Sequence, residues 1–181
     1  MGRRIFEGRT INWGETELKK FLILLLVGLV LLVGCEFWPW ESTDLPDTAL
    51  VTKIVDGDTI WVEADGVTYK VRYIGIDTPE TYGGVECYGP EAKERNRELV
   101  EDKTVYLEYD VDKYDQYDRV LAYVWLTDHH NAMIFMVNYA LVREGYATVA
   151  TYPPNVEYIN RFEQAEEWAQ WDNLGLWAEC I

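Results

Sequence analysis

Hydrophobic and polar positions follow three different rhythms along this chain. Over residues 50–76 apolar and β-branched side chains recur without a helical period and are interrupted by Asp56-Gly57 and Asp65-Gly66. This predicts three strands, 50–55, 59–63 and 67–76, folded as a meander on two tight turns. Pro79 ends the third strand, because it has no N–H for a ladder and pushes Thr78 toward extended geometry. Residues 104–109 and 119–127 read as a fourth and fifth strand on either side of the polar loop 110–118. A helical rhythm predicts three helices. The first runs over 90–100, with Pro90 at its first position and Glu91 and Glu94 in its first turn. The second runs over 133–144, with Gly145 as its cap. The third runs over 156–173, with Ile159, Phe162, Ala165, Ala169 and the Trp168/Trp171 pair as its apolar face and Gly175 as its stop. Five short strands with three helices predict an α+β domain on a five-stranded Greek-key β-barrel of the OB type.

The third rhythm is no rhythm at all. Residues 21–34 are apolar without interruption and follow Lys19-Lys20 in a mixed, Arg-bearing segment. A charged stretch, a short apolar stretch and a small-residue end predict an export signal. A spanning helix needs about 20 apolar residues. An uncleaved anchor helix, with Phe37, Trp38 and Trp40 as an interfacial belt, is the alternative. Leu32-Val33-Gly34-Cys35 resembles the lipobox of lipoprotein signals, which implies lipidation at Cys35. The expected division is therefore a signal or anchor over 1–34, a Pro- and acid-bearing tether over 35–48, and one domain over 49–181. The expected location is the extracellular or periplasmic face of the cell membrane, with the chain exported and anchored there.

Charge and cysteines narrow this further. The chain carries 32 acidic and 16 basic residues, a net charge of −16. A protein that grips nucleic acid by charge alone is basic. This one either acts locally, through a metal ion and a few arginines, or works in high salt, where screening shortens the reach of its repulsion; most of the acidic residues read as a soluble surface. Of three cysteines, lipidation of Cys35 leaves Cys87 and Cys180, and in an exported protein such a pair is expected as a disulfide. His129-His130 sit on an expected turn without a third ligand and read as solvent-exposed.

The densest chemistry lies at residues 71–80. Arg72 is embedded among Val, Tyr and Ile, and Asp77 and Glu80 stand at the end of the strand. A guanidinium and carboxylates placed together suit a phosphate with a metal ion. Reading Asp56-x-Asp58 as an EF-hand fails, since Ile60 falls where such a loop needs an oxygen. Four segments complete the pattern: Asp56-Gly57-Asp58-Thr59, Arg72 with Asp77-Thr78-Pro79-Glu80, Glu86-Cys87-Tyr88-Gly89-Pro90-Glu91-Ala92, and Tyr117-Asp118-Arg119-Val120-Leu121-Ala122-Tyr123. Their order resembles the thermonuclease family, with its staphylococcal-nuclease-like OB-fold, over about residues 49–180.

The resemblance implies a Ca²⁺-dependent phosphodiesterase that cuts DNA and RNA with little sequence preference and leaves 3′-phosphate ends. Carried onto this chain, Asp58 and Asp77 give carboxylates and Thr78 its carbonyl to Ca²⁺. Arg72 and Arg119 clamp the scissile phosphate, and Glu80 is the general base. The chain departs from the family pattern in a shorter loop after Glu80. It has Gln116 where the type member has Lys, and Asp118 where it has Gly. One residue is missing around Thr151-Tyr152, which removes one of two stacking tyrosines; Tyr117 and Tyr152 remain to stack on a base or sugar. A monomer is expected. A non-catalytic OB-fold module that binds nucleic acid or another ligand at the cell surface is the rival reading.

Overall fold

The computed structural model describes residues 19–20, 44–128 and 132–180. Two compact units divide the chain, Met1–Asp44 and Leu45–Ile181. The expected export signal or anchor, Cys35 and the His129-His130 pair lie outside the described residues, apart from Lys19 and Lys20. No described helix is long and apolar enough to cross a membrane.

The strands are β1 Thr48–Asp56, β2 Thr59–Ala64, β3 Val67–Tyr73, β4 Ile76–Asp77, β5 Thr104–Glu108, β6 Val120–Trp125 and β7 Thr148–Val149. Five of them close a barrel in the order β1-β2-β3-β6-β5, with β5 returning to β1. All its pairings are antiparallel except β3 with β6. The Asp65-Gly66 turn has φ of 52° and 78°, the left-handed pair that a two-residue hairpin with the sheet's own twist requires. Alternate residues point inward, as a half-buried strand demands. Val51, Ile60, Val62, Val71, Tyr73, Val105, Ala122 and Val124 are buried. The compact unit begins at Leu45, which packs on the core, and Asp47 and Pro46 accept hydrogen bonds from Leu107 N and the Tyr109 hydroxyl.

The third strand does not run to Ile76. It stops at Tyr73, turns at Gly75 (φ 79°), and resumes as β4 in a separate two-stranded sheet with β7. Asn138 explains the exit: its amide donates to Ile74 O (2.9 Å) and accepts from Val124 N (2.9 Å), while Ile74 N reaches Ala122 O. A β-branched run carries no sign of this break, because the cause lies 64 residues away.

The helices are α1 Gly89–Val100, α2 Val137–Arg143, α3 Ile159–Trp171 and α4 Leu176–Glu179. The expected helix over 133–144 splits into a 3-10 turn, Met133–Phe135, and α2, because Met136 is extended and bridges Trp125. Gly145 (φ 77°) caps α2 as expected, with Gly145 N on Val142 O and Tyr146 N on Leu141 O, a Schellman motif. The same motif ends α3, but on Asn173 (φ 52°), whose N–H meets Gln170 O while Leu174 N meets Ala169 O. Gly175 is not the stop. Neither tryptophan of the expected pair is buried: Trp168 is exposed, and Trp171, nine residues past buried Phe162 and half a turn round at 100° per residue, is 89% exposed.

Gly175 serves a different purpose. A Cβ on it would lie 2.2 Å from Gly145 O, and one on Gly145 would lie 2.4 Å from Leu174 O. The two glycines join the backbone after α2 to the start of α4, where Leu176 N donates to Gly145 O (2.8 Å). Gly175→Ala or Gly145→Ala is expected to destabilise by about 2–4 kcal/mol, more than a helix-interior substitution, since each combines positive φ with overlap against backbone. Urea unfolding midpoints of the two variants check this; midpoints matching the parent would refute the close approach.

Candidate active site

The two-residue turn between β1 and β2 aims a carboxylate inward. Asp58 is only 5% exposed. Its Oδ1 accepts from the Thr59 hydroxyl (2.9 Å), and its Oδ2 accepts from Thr78 N (2.9 Å) and the Thr78 hydroxyl (3.0 Å). The Arg72 guanidinium pairs with Oδ2 through Nη1. A buried ion costs several kcal/mol unless its oxygens meet donors or a counter-charge, and here both oxygens do. Gly57 permits the approach, for a Cβ there would lie 2.7 Å from the Thr78 hydroxyl.

Arg72 stands on the outer face of β3, level with Thr59 of β2 and Leu121 of β6. Its Nη2 reaches Asp77 Oδ1 at 2.6 Å, so one guanidinium bridges Asp58 and Asp77. Burial pulls its pKa below the ordinary value and Asp77 opposes that, but an arginine starts so high that it stays charged. Asp77 itself is half exposed on β4.

Glu80 follows Pro79 and is held by its backbone. Its N–H donates to Glu86 Oε2 (3.0 Å), and its carbonyl accepts from Glu86 N (2.9 Å). Gly89, the first residue of α1, sits against the Pro79 and Glu80 carbonyls, where a Cβ would come within 2.9 Å of both oxygens. The Glu80 carboxyl faces solvent and is pushed above the usual carboxylate range, first by desolvation and then by Asp56, with Arg72 working against the rise. A base raised in this way sits nearer the pH at which it works.

Arg119 enters from the loop before β6. Asp115 accepts from its Nε (2.6 Å) and its backbone N–H (3.0 Å), and from Tyr117 N (2.9 Å). Burial works to raise the Asp115 pKa, but the two N–H groups and the guanidinium outweigh it and hold it below the ordinary value. The guanidinium carbon lies 5.5 Å from the Tyr117 ring centre, a cation–π contact. Asp118 takes φ 59°, the left-handed geometry that explains a Gly in the type member and that Asp tolerates better than most.

Two hollows meet at the arginines. One, of about 440 Å³, is lined by Asp56, Asp58, Arg72, Glu80 and Arg119, and also by Lys70 and Lys93. The other, of about 460 Å³, shares Arg72 and Arg119 and is walled by Tyr114, Tyr117, Tyr152 and Pro153. The structure thus gathers Asp58, Arg72, Glu80 and Arg119 in one hollow, with Asp77 and Thr78 bonded to its wall. Tyr117 and Tyr152 meet at its neighbour, 70% and 71% exposed. Two positioning residues escaped sequence reasoning: Glu86, which holds the Glu80 backbone, and Asp115, which holds Arg119. Glu86 lies within a motif segment and Asp115 two residues before another, and neither position carried a sign of these bonds.

The donor set fits a hard cation. Asp58 and Asp77 already converge on one positive group, the Arg72 fork. Two carboxylates and a carbonyl are hard oxygens of the kind Ca²⁺ takes, and they leave several of its six to eight positions to water or a ligand. No group of three His, Cys, Asp or Glu among the described residues is arranged to hold a metal, so an ion here would be held by few protein groups.

Cys87 and Cys180 form a disulfide, with Cα atoms 5.8 Å apart. It ties the residue after Glu86 to the stretch following α4.

The family described as Staphylococcal nuclease homologue matches residues 70–179. The thermonuclease of Staphylococcus intermedius is 38% identical over 165 residues, 86% of this chain and 95% of that protein. The thermonuclease of Staphylococcus hyicus is 35% identical over 167 residues, with the same two coverages. The SPbeta prophage-derived endonuclease YokF of Bacillus subtilis (strain 168) is 40% identical over 141 residues, 75% of this chain but 45% of that protein.

A bridge closing 93 residues stabilises by about 4–5 kcal/mol in the loop-entropy account, an upper value. Reductant, or Cys87→Ser with Cys180→Ser, is expected to lower the denaturation midpoint accordingly. A midpoint indifferent to reductant would show that the bond contributes nothing to the fold.

Proposed function

The chain belongs to the staphylococcal nuclease family and is a phosphodiester-hydrolysing nuclease, and we propose that it cuts DNA and RNA with Ca²⁺ at the hollow built on Asp58, Arg72, Glu80 and Arg119. One observation carries this reading: the two arginines, the raised glutamate and the buried aspartate, separated by up to 61 residues of sequence, line a single hollow.

Asp58, Asp77 and the Thr78 carbonyl would hold the Ca²⁺, whose chemistry is that of a Lewis acid on a phosphoryl oxygen. With that charge in place, Arg72 is no longer needed to neutralise Asp58 and Asp77 and has its fork available to the scissile phosphate. Arg119, oriented by Asp115, supplies a second fork. Both stabilise charge that builds on the non-bridging oxygens as water attacks. Glu80 takes a proton from that water as its oxygen bonds to phosphorus. The bond from phosphorus to the 5′ oxygen breaks, and that oxygen takes a proton from a second water and leaves as a hydroxyl, while the other fragment keeps a 3′-phosphate and Glu80 returns its proton to solvent. Tyr117 and Tyr152 offer ring faces to the neighbouring base or sugar; such contacts do not read base identity.

We place the enzyme outside the cytoplasm, as a monomer tethered to the membrane through residues 1–34 or a lipid on Cys35. The support is the apolar stretch over 21–34, the lipobox-like Leu32-Val33-Gly34-Cys35 and the disulfide, a bond that persists in oxidising compartments. Mass analysis of the membrane fraction tests it: a diacylglycerol-sized increment on Cys35 is expected, and a soluble, unmodified chain would refute the lipid.

Digestion of single-stranded DNA tests the chemistry. Cutting is expected with Ca²⁺ and lost in EDTA. Glu80→Gln should lower kcat by about 10²–10⁴-fold, and Arg119→Ala by about 10³-fold or more. New ends should accept a 5′ phosphate from a polynucleotide kinase without prior dephosphorylation. Undiminished cutting in EDTA or by Glu80→Gln would overturn the mechanism. Asp115→Asn should keep the fold and cost roughly 10–100-fold in kcat through a displaced Arg119; unchanged kcat would show that Arg119 needs no such support.

A further inference from the structure

Lys70 and Lys93 have no place in the reaction just described, yet both line the hollow that contains Arg72, Glu80 and Arg119. Three observations set them apart. First, in a chain of net charge −16, the arginines Arg72, Arg95, Arg97, Arg119 and Arg143 are each paired with a carboxylate. Lys70 and Lys93 pair with none among the described residues, and although Lys53, Lys113 and Arg161 do not pair with a carboxylate either, only Lys70 and Lys93 of these line the hollow, so their charge is available there to an anion from outside. Second, both are half-buried rather than extended into solvent, which limits the freedom an ammonium loses on binding. Third, each is held by a fixed element. Lys70 lies two residues before Arg72 on β3, so both side chains leave the same face about 7 Å apart. Lys93 lies one helical turn before Asn96 of α1, and Asn96 is buried with its amide donating to Asp56 O (2.9 Å) and accepting from the Tyr73 hydroxyl (2.9 Å). The helix is thereby fixed to the same β1–β2 turn that carries Asp58.

We propose that Lys70 and Lys93 form a second phosphate subsite that holds the phosphate next to the scissile one in a polynucleotide strand. The strand would cross the two arginines with the nucleoside on one side of the scissile phosphate against the tyrosine-walled hollow, and with the phosphate beyond the nucleoside on the other side between the lysines. Two consequences follow from the charge arrangement. The enzyme favours substrates with at least one phosphate beyond the cleaved one over a dinucleotide. Sequence-independent affinity beyond the scissile phosphate comes chiefly from these two lysines, because the remaining acidic surface repels polyanions. The inference rests on the reading of this cleft as a nuclease site, but its test separates the two.

The full chain is compared with Lys70→Ala, Lys93→Ala, the double variant and the Lys→Arg controls. Binding of an eight-residue oligothymidylate is followed by fluorescence anisotropy in EDTA at several salt concentrations, so no cleavage is needed. The slope of log K against log salt should fall by about 0.7 per lysine removed, and the arginine controls should keep it. In parallel, kcat/KM with Ca²⁺ is measured on a dinucleotide and a tetranucleotide. The preference for the longer substrate should shrink roughly fivefold per lysine, through KM rather than kcat. An unchanged slope together with an unchanged length preference in the double variant overturns the subsite while leaving the nuclease reading intact. A slope that falls in a protein that cuts neither substrate supports the subsite and removes the nuclease reading.

Discussion

A carboxylate buried at the mouth of a barrel has to be satisfied on every side, and Asp58 is satisfied by groups from three parts of the chain. Thr59 comes from its own turn, Arg72 from the third strand, and Thr78 from the segment that leaves the barrel. Removing any one donor leaves charge without compensation in a poorly hydrated place. The bonds that make this corner of the barrel close correctly are therefore the bonds that bring Asp58, Arg72 and Thr78 together. Fold and chemistry draw on the same few atoms.

Two buried asparagines extend this arrangement. Asn138 forces the third strand out of the barrel beyond Tyr73, so that Asp77, Thr78 and Glu80 turn across the mouth instead of continuing down the wall. Asn96 anchors the first helix to the carbonyl of Asp56, and that helix begins with the glycine seated on the Glu80 carbonyl. Side-chain amides suit both places because each can donate and accept at once. Glu80 is thus held by its backbone, from Glu86 on one side and Gly89 on the other, while its carboxyl group stays at the solvent edge.

Much of this was legible in the letters. Asp-Gly turns, β-branched runs and a helix opened by Pro90 each have local causes, and the barrel and its helices appear where those causes place them. Asp58, Arg72, Asp77, Glu80 and Arg119 were visible as a set because their motif order resembled a known family. The parts that were not legible have distant causes. The break at Gly75 depends on Asn138. The stop of α3 falls on Asn173, while Gly175 is engaged with Gly145. Trp171 looked apolar enough for the core, yet its angular position around the helix put it in water. Lys70 and Lys93 are ordinary lysines in the string; only the folding of a strand beside a helix brings them to one hollow.

The placement of charge shapes the encounter with a polyanion. At separations comparable with the Debye length, about 8 Å at physiological salt, beyond which charges are screened, a nucleic acid first meets the field of a chain of net charge −16 and is repelled. Inside that range the cleft presents guanidinium and ammonium groups, and the sign of the force reverses. Such a protein does not coat itself in nucleic acid or drift along a duplex. It behaves as a short-range trap with a repulsive approach, in which dissolved ions ease arrival even as they loosen the grip.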